Sequence, residues 1–291
     1  MRDGKLEAAI WTGTANICLQ QGHLEEAVDH YRKARKIQNR RLREIDKLKS
    51  DQGKAVLYKE MLYQKAAVLH ELAGIYFRLW VKGNYIQWWQ LKRADCLCRK
   101  SLKIKEDIRD KKGKATTLCQ LAGICTYQNK RPEAISLYLN CLGIQKRIGH
   151  RQGEATTLCH LAKIHALEKR YDKAVEYCQK ALKIYEDINE PKREAETLRQ
   201  MKAIYIQNNQ IEKAIECCKK PCEIEQSIKH IEGKAKSLIM LGELLANKQE
   251  YLAEALASLE EAQTIRMQLG FPNAKLLEYI AKLRQAQQNQ Q

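Results

Sequence analysis

Thiols are the side chains with the most chemistry to offer here, since the sequence holds 11 cysteines. Thiolates bind soft metals and exchange disulfides, and each task needs a recognisable spacing. Cys217-Cys218-x-x-x-Cys222 puts two thiols at i and i+4, on one face of a helix. No second pair stands at zinc-finger spacing, which leaves the metal reading with half a ligand set. Cys159-His160, followed by His165, is a thinner candidate for the same chemistry. An odd count without disulfide-scaffold spacing reads as reduced thiols. The sequence therefore predicts neither a metal nor a cofactor.

Catalytic constellations are absent. There is no glycine-rich phosphate loop, no GxSxG, no HExxH and no kinase-type motif. Carboxylates are scattered, several with lysine four residues on, as Glu176 before Lys180 and Glu216 before Lys220. That pairing stabilises solvated helix faces rather than doing chemistry. A non-enzymatic protein is expected.

Two clusters point to binding instead. Arg32, Lys36, Arg40, Arg43 and Lys47 recur at helical spacing, a stripe ~22 Å long at 1.5 Å per residue. Phosphates of nucleic acid or of a membrane surface would follow such a row. Asp29, Glu44 and Asp46 offset part of it, so a solvated face is the competing reading. Trp80, Tyr85, Trp88 and Trp89 form the second cluster. Such aromatics either fold back onto the protein or form an interface patch.

The elements that must position these groups are helices. The chain has 291 residues but only 14 Gly, 4 Pro and 2 Phe, too few turn formers for a large sheet. The apolar stretches fall far short of the ~18–20 residues of a membrane span. Met1–Gly13 lacks the apolar stretch of a signal peptide, so a soluble, cytoplasmic protein is expected. The net charge is +17, tilted toward the N-terminal 112 residues, and favours anionic partners.

A repeat organises the helices. Gly113-Lys-Ala-Thr-Thr-Leu118 returns as Gly153-Glu-Ala-Thr-Thr-Leu158, Arg193-Glu-Ala-Glu-Thr-Leu198 and Gly233-Lys-Ala-Lys-Ser-Leu238, each step being 40 residues. Within one unit, Leu158, Leu161, Ile164 and His165 mark one helix face. Ala174, Tyr177, Cys178, Ala181, Leu182 and Ile184 mark a second, after a polar break at 168–170. Asn189-Glu-Pro191 closes the unit. Hairpins of this kind bury their apolar faces only by stacking.

At these residues the sequence resembles the tetratricopeptide repeat (TPR) family, in the 40-residue subclass found in kinesin light chains and bacterial signalling proteins. The unit at 155–190 carries the motif as Leu158, Leu161, Ala162, His165, Ala174, Cys178 and Ala181. The first unit carries it as Trp11, Thr14, Ala15, Cys18, Ala27, Tyr31 and Ala34. The resemblance implies an all-α, right-handed superhelical solenoid of about six hairpins plus a C-terminal capping helix. The units fall at 5–52, 53–112, 113–152, 153–192, 193–232 and 233–272, with 273–291 as cap and polar tail. Cys98, Cys178 and Cys218 share one repeat position and Cys18 and Cys125 another. Such position-locked recurrence is what packing produces, because buried Cys behaves as a small hydrophobe.

Departures from the repeat are individual. The helix leaving unit one gains 7 residues and the helix entering unit two gains 11, so that region 41–94 either projects as an antiparallel arm or packs flat. A 9-residue insertion carries the aromatic cluster, and Pro221 is expected to kink its helix. First-helix positions line the concave groove in this family, which singles out Asn16, Gln120, His160, Lys163, Arg199 and Gln200. A carboxylate clamp would need lysine where Thr12 stands. The expected function is a scaffold binding a peptide or partner protein in that groove. The alternative is a regulator docking nucleic acid or another anionic surface on the basic stripe. The sequence is silent on oligomeric state.

Overall fold

The computed structural model describes residues 2–48, 52–83, 88–227, 229–247 and 249–288. It divides into two compact units, residues 1–150 and 151–291. The first holds α1 (Arg2–Gln20), α2 (Leu24–Asp46), α3 (Gln52–Lys82), α4 (Trp88–Asp107), α5 (Lys111–Tyr127) and α6 (Arg131–Arg147). The second holds α7 (Arg151–Leu167), α8 (Tyr171–Asp187), α9 (Pro191–Gln207), α10 (Ile211–Ser227), α11 (Ile231–Leu245), α12 (Leu252–Gln268) and α13 (Ala274–Gln288). A single 3₁₀ turn, Gln249–Tyr251, precedes α12. No strand occurs among the described residues.

Turns recur every 20 residues and set the pitch. Arg109, Asn129, Lys169, Asn189, Asn209 and Lys229 have φ between 54° and 60°, and Gly149 has φ 68°. Each lies two residues past a helix end. The next N–H then donates back to the helix, as Lys130 N to Cys125 O at 2.9 Å and Glu190 N to Tyr185 O at 2.9 Å. This is the left-handed C-terminal cap that satisfies orphan carbonyls. Asn and Gly enter it readily, whereas Arg109, Lys169 and Lys229 hold it at a cost of roughly 1 kcal/mol each. Pro191 opens α9 at its first turn rather than merely ending the unit before it, because an N1 residue needs no N–H partner.

Small residues let the paired helices approach. Ala122 and Ala134 are fully buried in the first unit, Ala162 and Ala174 in the second, with Cys125 and Cys178 packed beside them. The apolar stripe that recurs in sequence is thus the hairpin core. Among the described residues no helix is long and apolar enough to cross a membrane.

The long helices pack with α1 and do not project as a free two-helix arm. α2 has 23 residues and α3 has 31, against 17 in each of α5 to α10. Leu42, Ile45 and Met61 join them in a small core with Tyr58 and Leu62. The start of α1 packs on this extension through Lys5–Glu60 (2.6 Å) and Arg40–Glu7 (3.9 Å). Three helices therefore share the extension, rather than two projecting alone. Part of the third insertion lengthens α3 to Lys82, and residues 84–87 lie outside the described residues. α10 runs continuously through Pro221, which is buried.

Candidate functional site

First helices of neighbouring hairpins leave clefts between them. In the second unit, α7 and α9 enclose a cavity of about 160 Å³ lined by Cys159, His160, Lys163, Glu196, Thr197 and Gln200, among others. In the first unit, α1 and α3 bound two adjoining hollows of about 500 and 510 Å³ with Ala9 common to both. Together they form one groove, with Leu6, Ala9, Thr12 and Asn16 on the α1 side and Leu57, Tyr63, Val68 and Glu71 on the α3 side.

The α7/α9 cleft brings together three predicted residues: His160, Lys163 and Gln200. Gln200 Nε2 donates to the Cys159 carbonyl at 2.9 Å and ties the helices together. Cys159 Sγ lies 3.5 Å from Thr197 Oγ1. Burial, with Lys163 next, pushes the His160 pKa down to about 4, so its imidazole is neutral at pH 7. Lys163 is exposed at the mouth. Arg193 is paired with Glu196 at 3.0 Å. The cleft thus offers one ammonium beside a neutral imidazole, an arrangement that attracts an anionic or carbonyl-bearing ligand.

Other predicted groove residues are placed differently. Arg199 turns away from the cleft: its Nη1 donates to Glu225 Oε1 at 2.6 Å and to Ser237 Oγ at 3.2 Å. Glu225 is 1% exposed, so Arg199 neutralises a buried charge. Sequence reasoning missed this because the partner lies 26 residues away. Gln120 Nε2 donates to the His70 carbonyl at 3.4 Å, and its Oε1 accepts from Cys98 Sγ at 3.3 Å. Asn16 lines the α1/α3 groove and accepts the hydroxyl of Tyr31. Burial, with Glu71 next, raises the pKa of Tyr31 to about 12. Tyr63, Gln64 and Glu71 complete the wall opposite Asn16 and were not singled out from sequence. Counting the motif along α3 from Leu69 would have reached Glu71.

The basic stripe is partly spent. Arg32 donates to Asp29 at 3.2 Å and to the Tyr76 hydroxyl at 2.6 Å. Arg40 lies 3.8 Å from Glu44. Lys36, Arg43 and Lys47 remain exposed, with no ion pair among the described residues. The aromatic cluster also divides. Trp80 is 3% exposed and packs on Phe77 and Tyr127, so it belongs to the core. Trp88 and Trp89 are 44% and 55% exposed, Trp89 meeting Tyr76 edge-on. Tyr85 lies outside the described residues.

Cysteine chemistry finds no support in the geometry. No disulfide joins any of the 11 cysteines, and no group of three His, Cys, Asp or Glu side chains among the described residues is placed to hold a metal. Cys222 Sγ donates to the Cys218 carbonyl at 3.4 Å. Burial raises Cys217 and Cys218 to about 11 and Cys98 to about 12, which suppresses the reactive thiolate.

Comparison with known proteins agrees with this architecture. Residues 153–224 match one sequence profile of the tetratricopeptide repeat and residues 8–40 match another. No curated protein matches the chain. Among solved structures, the apo form of RapI has a TM-score of 0.64 at 17% identity, over 97% of this chain and 99% of that one. A signal transduction ATPase from Pyrococcus horikoshii with a tetratricopeptide repeat sensor gives 0.64 at 19%, over 95% of this chain and 41% of that one. The Rap conjugation gene regulator of plasmid pLS20, in complex with the Phr* peptide, gives 0.55 at 14%, over 99% and 75%. At these identities the likeness concerns the fold.

Proposed function

Because the chain is a tetratricopeptide repeat protein, we propose that it is a non-enzymatic scaffold. It binds a peptide, or a segment of a partner protein, on the first-helix side of its hairpins. The observation that carries this reading is the pair of clefts between first helices, each lined by polar side chains that no catalytic arrangement uses. The similar fold of a Rap protein holding the Phr* peptide supports it. So does the likeness to the Pyrococcus signal transduction ATPase that has a tetratricopeptide repeat sensor, which favours a signalling or regulatory role. Residues proposed to meet the ligand are Asn16, His160, Lys163 and Gln200, with Gln120 between α3 and α5. Arg199 is withdrawn, since its charge is held by Glu225.

Panning a random peptide library on the immobilised chain tests this reading. Selected peptides should converge on a motif and titrate saturably, and Lys163→Glu should weaken those that use the α7/α9 cleft. Failure to converge would count against a peptide scaffold. Recovery of nucleic acid that is lost at high salt and on reversing Lys36 and Arg43 would favour the stripe instead.

A further inference from the structure

α2 floors the α1/α3 groove, and two of its polar side chains that face the groove each hold a buried atom without a hydrogen-bond partner among the described residues. Gln38 is 2% exposed and Arg41 is 8% exposed. They stand three residues apart, on one face of α2. Among the described residues, Gln38 Oε1 accepts no hydrogen bond and Arg41 Nη1 donates none. Both side chains line the groove. A buried polar group left unpaired costs roughly 1–3 kcal/mol, and a charged one more, so such groups generally have a use.

The other charges around this stretch are engaged. Lys5 is paired with Glu60 at 2.6 Å, and Glu44 lies 3.8 Å from Arg40. Gly4 makes room for the Arg41 stem, because a Cβ there would come within 3.2 Å of Arg41 Cδ. The guanidinium is thus largely buried, and its Nη1 meets no hydrogen-bond acceptor among the described residues.

What it awaits follows from the walls. Leu6, Ala9, Ile45 and Leu57 make this part of the groove apolar, and Leu6 and Leu57 are 64% and 40% exposed. A phosphodiester chain needs a row of solvated cations, whereas this slot holds one guanidinium between apolar side chains. A carboxylate matches that guanidinium, two oxygens to its fork of N–H donors. Gln38 Oε1, nearby on the same face, suits a backbone N–H. From Lys5 to Asn16 the groove runs about 16 Å, enough for about five extended residues.

Resting on the scaffold reading above, we propose that the α1/α3 groove binds an acidic, otherwise apolar peptide segment of a partner protein. Its carboxylate sits on Arg41, a neighbouring N–H on Gln38, and its apolar side chains lie between Leu6, Ala9 and Leu57.

Two fluorescent pools of capped hexapeptides test this by polarisation. One has a fixed central glutamate among randomised apolar residues, and the other a fixed central glutamine. The glutamate pool should bind the wild-type chain at least about tenfold tighter, as expected for a desolvated charge pair. Arg41→Gln should bring the two pools level, while Arg41→Lys keeps part of the difference. The melting temperature of Arg41→Gln should hold or rise, since it removes a buried charge whose Nη1 meets no acceptor among the described residues; a purely structural arginine would lower it. Leu57→Glu, at an exposed wall position, should weaken both pools without unfolding, the glutamate pool more because the new carboxylate repels it. Equal binding of the two pools to wild type overturns the proposal, as does a preference that survives Arg41→Gln. A preference abolished by Lys163→Glu but not by Arg41→Gln overturns it too, while leaving the scaffold reading intact. Binding of neither pool likewise overturns it, and the library experiment then decides the broader reading by itself.

Discussion

The α1/α3 groove and the α7/α9 cleft occupy the same place in the repeat, yet one hollow measures about 500 Å³ and the other about 160 Å³. One position that differs between them lies two residues past the motif leucine. In α9 it is Gln200, whose amide donates to the Cys159 carbonyl of α7. In α5 it is Gln120, which donates to the His70 carbonyl of α3. In α3 it is Glu71, and an ionised carboxylate only accepts. The carbonyl it would face, that of Thr12, therefore gains no such tie. We infer that a donor at this position draws neighbouring first helices together and that an acceptor leaves a groove.

The two units also use an arginine differently, which gives the largest expected effect. Arg199 answers Glu225, whereas Arg41 Nη1 meets no acceptor among the described residues. Arg199→Met should cost about 3–5 kcal/mol, the usual result of stranding a buried charge. Adding Glu225→Gln should recover part of that loss. Urea unfolding measures both, beside Arg41→Gln as the contrasting case. A loss below about 1 kcal/mol for Arg199→Met would mean that Glu225 finds other partners, and the contrast between the cations would dissolve.

Histidines should respond alike in both units. Burial, with Lys105 next, lowers the His70 pKa to about 4, and burial with Lys163 lowers His160 to about 4. Both lie below the unfolded value near 6.5. Above pH 6.5 both states are neutral and these groups contribute nothing to pH dependence. As pH falls toward 4, only the unfolded chain takes up the protons, and stability drops by about 3 kcal/mol per histidine before levelling off. Unfolding midpoints measured from pH 7 to 4 should show this, and His70→Gln or His160→Gln should each flatten the curve. An unchanged slope in either variant would place that imidazole in solvent.

Much of this architecture is legible in the sequence because it is local. The 40-residue recurrence and the small residues at Ala162 and Ala174 mark hairpins, and Asn129, Asn189 and Gly149 mark turns. The site is only partly legible. His160, Lys163 and Gln200 meet in one cleft because the repeat register alone determines that. Arg199 does not, because its choice of Glu225 depends on how the next hairpin packs. Arg41 hides in a charged run and is overlooked when the exposed stripe is followed through Arg40 and Arg43. Its position, four residues after Ile37 and four before Ile45, does place it on the apolar face of α2. That offset was the available signal.

Changing Glu71 to Gln should have the smallest effect on stability and bears most directly on why the groove stays open. The amide would supply the missing donor to the Thr12 carbonyl, as Gln200 supplies one to Cys159. One such bond is worth about 0.5–1.5 kcal/mol net, so Glu71→Gln should be slightly more stable in urea. The same bond would draw α1 toward α3 over Tyr31 and Gln38, which lie beneath that part of the groove. Affinity for the glutamate-centred pool should therefore fall even though Arg41 is untouched. A gain in stability without loss of binding would show that the ends of the groove are independent. With neither change, the hollow would be owed to the space that the small residues Ala9 and Gly13 leave unfilled, and not to the carboxylate.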